Sequence, residues 1–143
     1  MFNREDLREL AAYQTDAQVL SVYLNVDPTD RSRDEYRIEL RQLLKEAAGL
    51  ASSEDVAAVE AFFDHEYDWS GRGAVAFSCQ EEDFWRAYSL AISVRSGVTV
   101  AHRPYISPLA ELLDAYGSYA VAVVDRRQVR LFHFDLGELR ATD

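Results

Sequence analysis

Residues 19–26, VLSVYLNV, constrain the fold of this chain more than any other stretch. β-Branched and aromatic side chains dominate them, which suits an extended, pleated backbone. Val22, Leu24 and Val26 load one face, and Leu20 with Tyr23 gives the other face apolar weight too. A strand apolar on both sides belongs in a sheet covered on both sides. Pro28, in Asp27-Pro28-Thr29-Asp30, ends it, because proline cannot donate to a central ladder.

The covering layers are legible as helices. Asn3, with Asp6 three residues on, caps a short helix running to about Tyr13. From Asp34 to about Leu50, Tyr36, Leu40, Leu43, Leu44 and Ala47 recur at helical spacing, with Arg33, Arg37, Arg41 and Lys45 recurring every fourth residue beside them. Ser52, followed by Asp55, caps a further helix that buries Val56, Val59 and Phe63 and ends near Tyr67, before the turn residues of Trp69-Ser70-Gly71-Arg72-Gly73.

Three strands are expected next, at residues 74–79, 84–93 and 98–103. Gln80-Glu81-Glu82-Asp83 and Arg95-Ser96-Gly97 separate them as hairpin or meander turns. Ser107-Pro108 opens a helix with Leu109, Leu112 and Leu113 as its stripe, and Gly117 closes it. Residues 119–125 and 129–136 then form a β-hairpin turning at Arg126-Arg127-Gln128. A two-stranded hairpin is marginal alone, so another layer must cover it. The expected fold is α/β (α+β), a mixed sheet of about four to five strands packed by helices and followed by that hairpin.

With 143 residues, 48% of them hydrophobic, the chain suits one self-sufficient core with a fragment of a second domain. No apolar run is long enough to cross a bilayer, and residues 1–10 are too charged for a signal peptide, so the expected location is the cytoplasm without a membrane partner. The lone Cys79 fits a reducing compartment and reads as a small core residue.

A net charge of −10 opposes indiscriminate attraction to nucleic acid, but the charge is unevenly spread. From Arg31 to Lys45 there are five cations against three acids, whereas residues 54–83 hold nine acids and one arginine. Arg33, Arg37, Arg41 and Lys45 are therefore the candidate nucleic-acid-binding residues. Guanidinium forks can grip phosphates in pairs of hydrogen bonds, and Tyr36 would add stacking if exposed. The alternative is a solvated face paired with Glu35, Glu39 and Glu46.

Other chemistry is poorly supported. His65, His102 and His133 have no partner at metal-ligand spacing. Asp64 and Asp68 would share a helical face, which leaves a metal-dependent hydrolase as a weak alternative against a solvated acidic helix end. Gly71-Arg72-Gly73 precedes a strand and lacks the lysine and the third glycine of phosphate loops. There is no GxSxG elbow. The chain is read as noncatalytic, with no cofactor and no metal.

The order of elements resembles the bacterial and archaeal branch of the eukaryotic-type class 1 peptide chain release factor family, most specifically at residues 19–28, 71–79, 103–113 and 119–139. The resemblance implies a release-factor-type N-terminal α/β domain over residues 1–117. Residues 118–143 would be the first hairpin of a ribonuclease H-like middle domain, otherwise absent. It also implies work on the ribosome. Where the family carries NIKS this chain has Ala51-Ser52-Ser53-Glu54, and where it carries YxCxxxF this chain runs from Val100 to Tyr105. The catalytic GGQ motif is not among these residues, so no family catalytic residue transfers. The leading reading is a noncatalytic domain that binds the ribosome or tRNA in termination, rescue or dormancy. A second is a protein-interaction domain, dimerising through Val129, Leu131 and Phe134 of the closing hairpin.

Overall fold

The computed structural model describes residues 2–116 and, as strands, Ala120–Val124, Val129–Asp135 and Glu138–Ala141. Its first 116 residues run α1 (Arg4–Ala12), β1 (Val19–Asn25), α2 (Arg33–Ala47), α3 (Ser53–Ala61), a π-helical turn (Phe62–Glu66), β2 (Gly73–Cys79), a 3-10 turn (Gln80–Glu82), β3 (Phe84–Leu90), β4 (Gly97–Ala101) and α4 (Ser107–Tyr116). Two of the helix starts lie at the expected caps. Asn3 and Asp6 form a reciprocal capping box, and Ser52 accepts from the Asp55 backbone N–H.

The four strands pair in the order β3-β2-β1-β4. Every pairing is antiparallel, so the α+β class holds while the expected mixed sheet does not. The reason lies in the β1–β2 connection. One crossover helix would return the chain parallel, but two helices, α2 and α3, lie between β1 and β2, and the two strands pair antiparallel.

β1 is the central strand that its composition demands, buried along its length except at Asn25, which is partly exposed. Strand periodicity puts Leu20 with Val22 and Leu24, correcting its expected place beside Tyr23. That face packs with Ala74 and Ala76 of β2 against Tyr36, Leu40 and Leu44 of α2 and Val59 of α3. On the other face, Val19, Tyr23, Val75 and Phe77 meet Leu10 of α1 and Leu109 of α4. The result is a sheet between two helical layers.

The hairpin expected at residues 80–83 forms and joins β2 to β3, with Cys79 opposite Phe84. The one expected at residues 95–97 does not, because β3 and β4 occupy opposite edges of the sheet. Residues 91–96 instead cross the end of β2 and β1, where Ser96 Oγ accepts from the Asn25 N–H at 2.8 Å. This crossing explains two glycines. A Cβ on Gly73 would sit 2.7 Å from the Ile92 carbonyl oxygen; Gly71 has φ +78°, and its Cβ would sit 2.6 Å from that of Leu90.

β5, β6 and β7 make a separate antiparallel three-stranded sheet. β5 and β6 are the anticipated hairpin, with Val124 opposite Val129, and β7 is a strand beyond the expected pair. The side chains of Val129, Leu131 and Phe134, on which the dimer reading rests, lie outside the described residues, as do those of Phe132 and His133. Among those described, no helix is long and apolar enough to cross a membrane.

Candidate nucleic-acid interface

α2 begins at Ser32, whose side chain accepts from the Glu35 N–H while Glu35 reaches back to the Ser32 N–H. Burial of Tyr36, Leu40, Leu44 and Ala47 fixes the helix rotation and leaves Arg33, Arg37, Arg41 and Lys45 along one flank. Residues four apart on a helix are about 6 Å apart along its axis, so the row is close-spaced. The chain does not treat its members alike.

Arg33 and Arg37 converge on Trp69, a residue that sequence reasoning assigned only to a turn. Their guanidinium carbons lie 5.6 and 5.2 Å from the centre of the indole. Each such contact contributes about 0.5–1 kcal/mol at an exposed site. Arg37 also pairs with Asp64 at 3.5 Å, both side chains about one-third exposed (32% and 33%), which keeps the pair near about 0.2–1 kcal/mol. Arg41 and Lys45 are exposed and have no acidic partner among the described residues.

Trp69 reaches this position through two irregularities. The turn at Phe62–Glu66 is π-helical, with the Tyr67 N–H donating to the Phe62 carbonyl at 2.8 Å. Trp69 itself has φ 61°, a left-handed conformation that a bulky side chain rarely takes. Its indole N–H donates to the Phe63 carbonyl at 3.3 Å, and its ring lies 5.3 Å from that of Tyr67. The only sequence signal was an aromatic residue beside a glycine-rich turn.

Tyr36 is not available for stacking. It is 2% exposed, and its hydroxyl donates to the Asp27 carbonyl at 2.7 Å while burial raises its pKa. Asp64 and Asp68 do not share a helical face, because the helical segment ends at Glu66. Asp64 faces Arg37, and Asp68 accepts from the Ser70 N–H at 2.9 Å. Those Ser70 hydrogen bonds, with a smaller contribution from Arg33, hold the Asp68 carboxyl below its usual pKa. Among the described residues no cluster of three or more His, Cys, Asp or Glu side chains could hold a metal ion. Burial pushes the Cys79 thiol pKa up, as suits a core residue.

A second feature missed from sequence is Asp55, buried at 4% exposure. Its carboxylate accepts from Ser52 Oγ at 2.9 Å, from Ser78 Oγ at 2.8 Å and from the Gln80 N–H at 2.8 Å. It ties the start of α3 to the end of β2, a structural role.

Residues 104–143 match the model of bacterial archaeo-eukaryotic release factor family 10. The fold is similar to a crystal structure of the archaeal translation termination factor aRF1, with a TM-score of 0.54, 18% identity, and coverage of 96% of this chain and 41% of that one. It is also similar to a structure described as an archaeal protein, with a TM-score of 0.50, 15% identity, and coverage of 96% and 42%. This chain thus spans about two-fifths of the length of either structure. No curated protein sequence matches it. The family match over residues 104–143 agrees with the resemblance read from the sequence, and the structural likeness shows a shared fold.

Proposed function

We propose that this chain is a noncatalytic, release-factor-like translation domain that binds the ribosome or tRNA, in termination, rescue or dormancy. Residues 1–117 act as its N-terminal α/β domain, and residues 118–143 begin a middle domain. The observation that carries this reading is the family match over residues 104–143, obtained independently of the fold. The α2 flank supplies the electrostatics. Arg41 and Lys45, exposed and without acidic partners, are the foremost phosphate contacts; Arg33 adds a third, and Arg37 is partly engaged by Asp64.

Co-sedimentation with purified bacterial ribosomes across a potassium chloride series tests it. Wild-type binding should weaken steadily with salt. The triple variant R33E/R41E/K45E should lose binding and flatten the log–log salt slope by roughly 0.7–0.9 for each phosphate contact removed. Unchanged sedimentation of the triple variant would show that this flank is not the interface.

A further inference from the structure

We propose that Asp64 occupies the anion position of a phosphate site that Arg33 and Arg37 build on Trp69, and that an RNA backbone phosphate displaces it on binding. The proposal rests on the reading above and adds an internal competitor to it. Two guanidinium groups from successive turns of α2 share one indole. Like charges gathered on one ring call for an anion beside them. Asp64 meets that need poorly, since it reaches Arg37 through a single contact at 3.5 Å. The paired, fork-to-fork geometry that holds a carboxylate tightly on arginine is missing. Arg33 makes no ion pair among the described residues, and the nearby Asp68 carboxyl, whose pKa Arg33 helps to lower, is held chiefly by Ser70.

The surroundings are rigid where the anion is loose. Trp69 is held in its left-handed conformation by the indole hydrogen bond to Phe63 and by packing on Phe63 and Tyr67. Strain of this kind persists only where neighbouring contacts over-determine it. The indole therefore presents two flat, oriented cations, while the carboxylate paired with Arg37 is one-third exposed and held by that single contact. A phosphate offers more acceptor oxygens than Asp64 and can engage both arginines.

The experiment is ribosome co-sedimentation at fixed low salt with D64N, E66Q, R37Q and the double variant D64N/R37Q. Glu66 is an exposed acid on the same turn, so E66Q removes equal charge without touching either arginine. D64N should tighten binding roughly threefold, as expected for removing a weak competing ion pair. E66Q should change it by less than about twofold, and in the R37Q background D64N should have no effect. Equal gains from D64N and E66Q, or a D64N gain that survives R37Q, would overturn displacement in favour of general electrostatics. Full-strength binding by R33E/R41E/K45E would instead sink the interface itself, whatever D64N does. Circular dichroism melts confirm that each variant is folded.

Discussion

The two helical layers cover the same sheet with different kinds of contact. On the α1/α4 side, polar groups near the core are tied down, the Tyr23 hydroxyl donating to the Tyr105 carbonyl and the Tyr105 N–H to Ser21 Oγ, and at the surface Arg86 pairs with Glu9. The α2/α3 side holds the π-helical turn, the left-handed Trp69, the paired arginines and two exposed cations without acidic partners. The paired arginines and the aromatic residue they share are thus features of one layer. The comparison teaches that one face completes the fold, while the other can present a surface without unsettling the core.

If that division is right, the largest loss of stability comes from the first layer. Phe77 is fully buried and packs edge-on against Tyr23, so Phe77→Ala should cost about 3–5 kcal/mol in chemical denaturation. A loss below about 1 kcal/mol would mean that this face is not a packed core. Asp55 lies in the second layer but ties the start of α3 to the end of β2. Asp55→Ala should cost about 2–3 kcal/mol because it strands the Ser78 hydroxyl and the Gln80 N–H. Equal melting temperatures for Asp55→Ala and wild type would remove Asp55 from the structural account.

Alkaline titration probes the second layer. Burial raises the Tyr67 hydroxyl pKa to about 12. An unfolded tyrosine ionises near about 10. Above that pH the unfolded chain binds fewer protons than the folded one, so stability falls as pH rises through this window and is fully present below it. Tyr67→Phe should flatten the corresponding part of a stability profile followed by circular dichroism. A smaller effect belongs to the latch on the first layer: Tyr23→Phe keeps the ring but loses the bond to Tyr105, costing about 1 kcal/mol. Smallest of all, R41E/K45E should leave stability within about 0.5 kcal/mol of wild type while weakening ribosome binding. A large drop in its melting temperature would break the contrast between a structural and a presenting layer.

Much of this architecture was legible from local pattern. Asn3 and Ser52 announced helix starts because a cap is a contact across three residues, and Leu40 and Leu44 announced the α2 core face because helical period is a property of one segment. Tyr36 shows the limit of that method. Its position on the apolar stripe and its neighbourhood of arginines permitted core and stacking roles alike, and only the distance to the Asp27 carbonyl decided for the core. The hairpin at residues 95–97 failed for a similar reason. Turn chemistry marks where a chain bends, but not which strand it reaches next.

The candidate site was half legible. The row from Arg33 to Lys45 follows from its spacing in α2, yet the engagement of Arg33 and Arg37 with Trp69 and Asp64 joins residues about thirty positions apart. By itself the sequence determined the caps, the helix faces, the two-sided burial of β1 and the charge of one flank, because nearest-neighbour geometry and side-chain period suffice for these. Only the tertiary structure decided that the sheet is antiparallel, that β4 takes the far edge, that Asp55 is buried, and which cations remain without partners. Those outcomes depend on contacts between distant segments, and such contacts exist only once both faces of the sheet are covered.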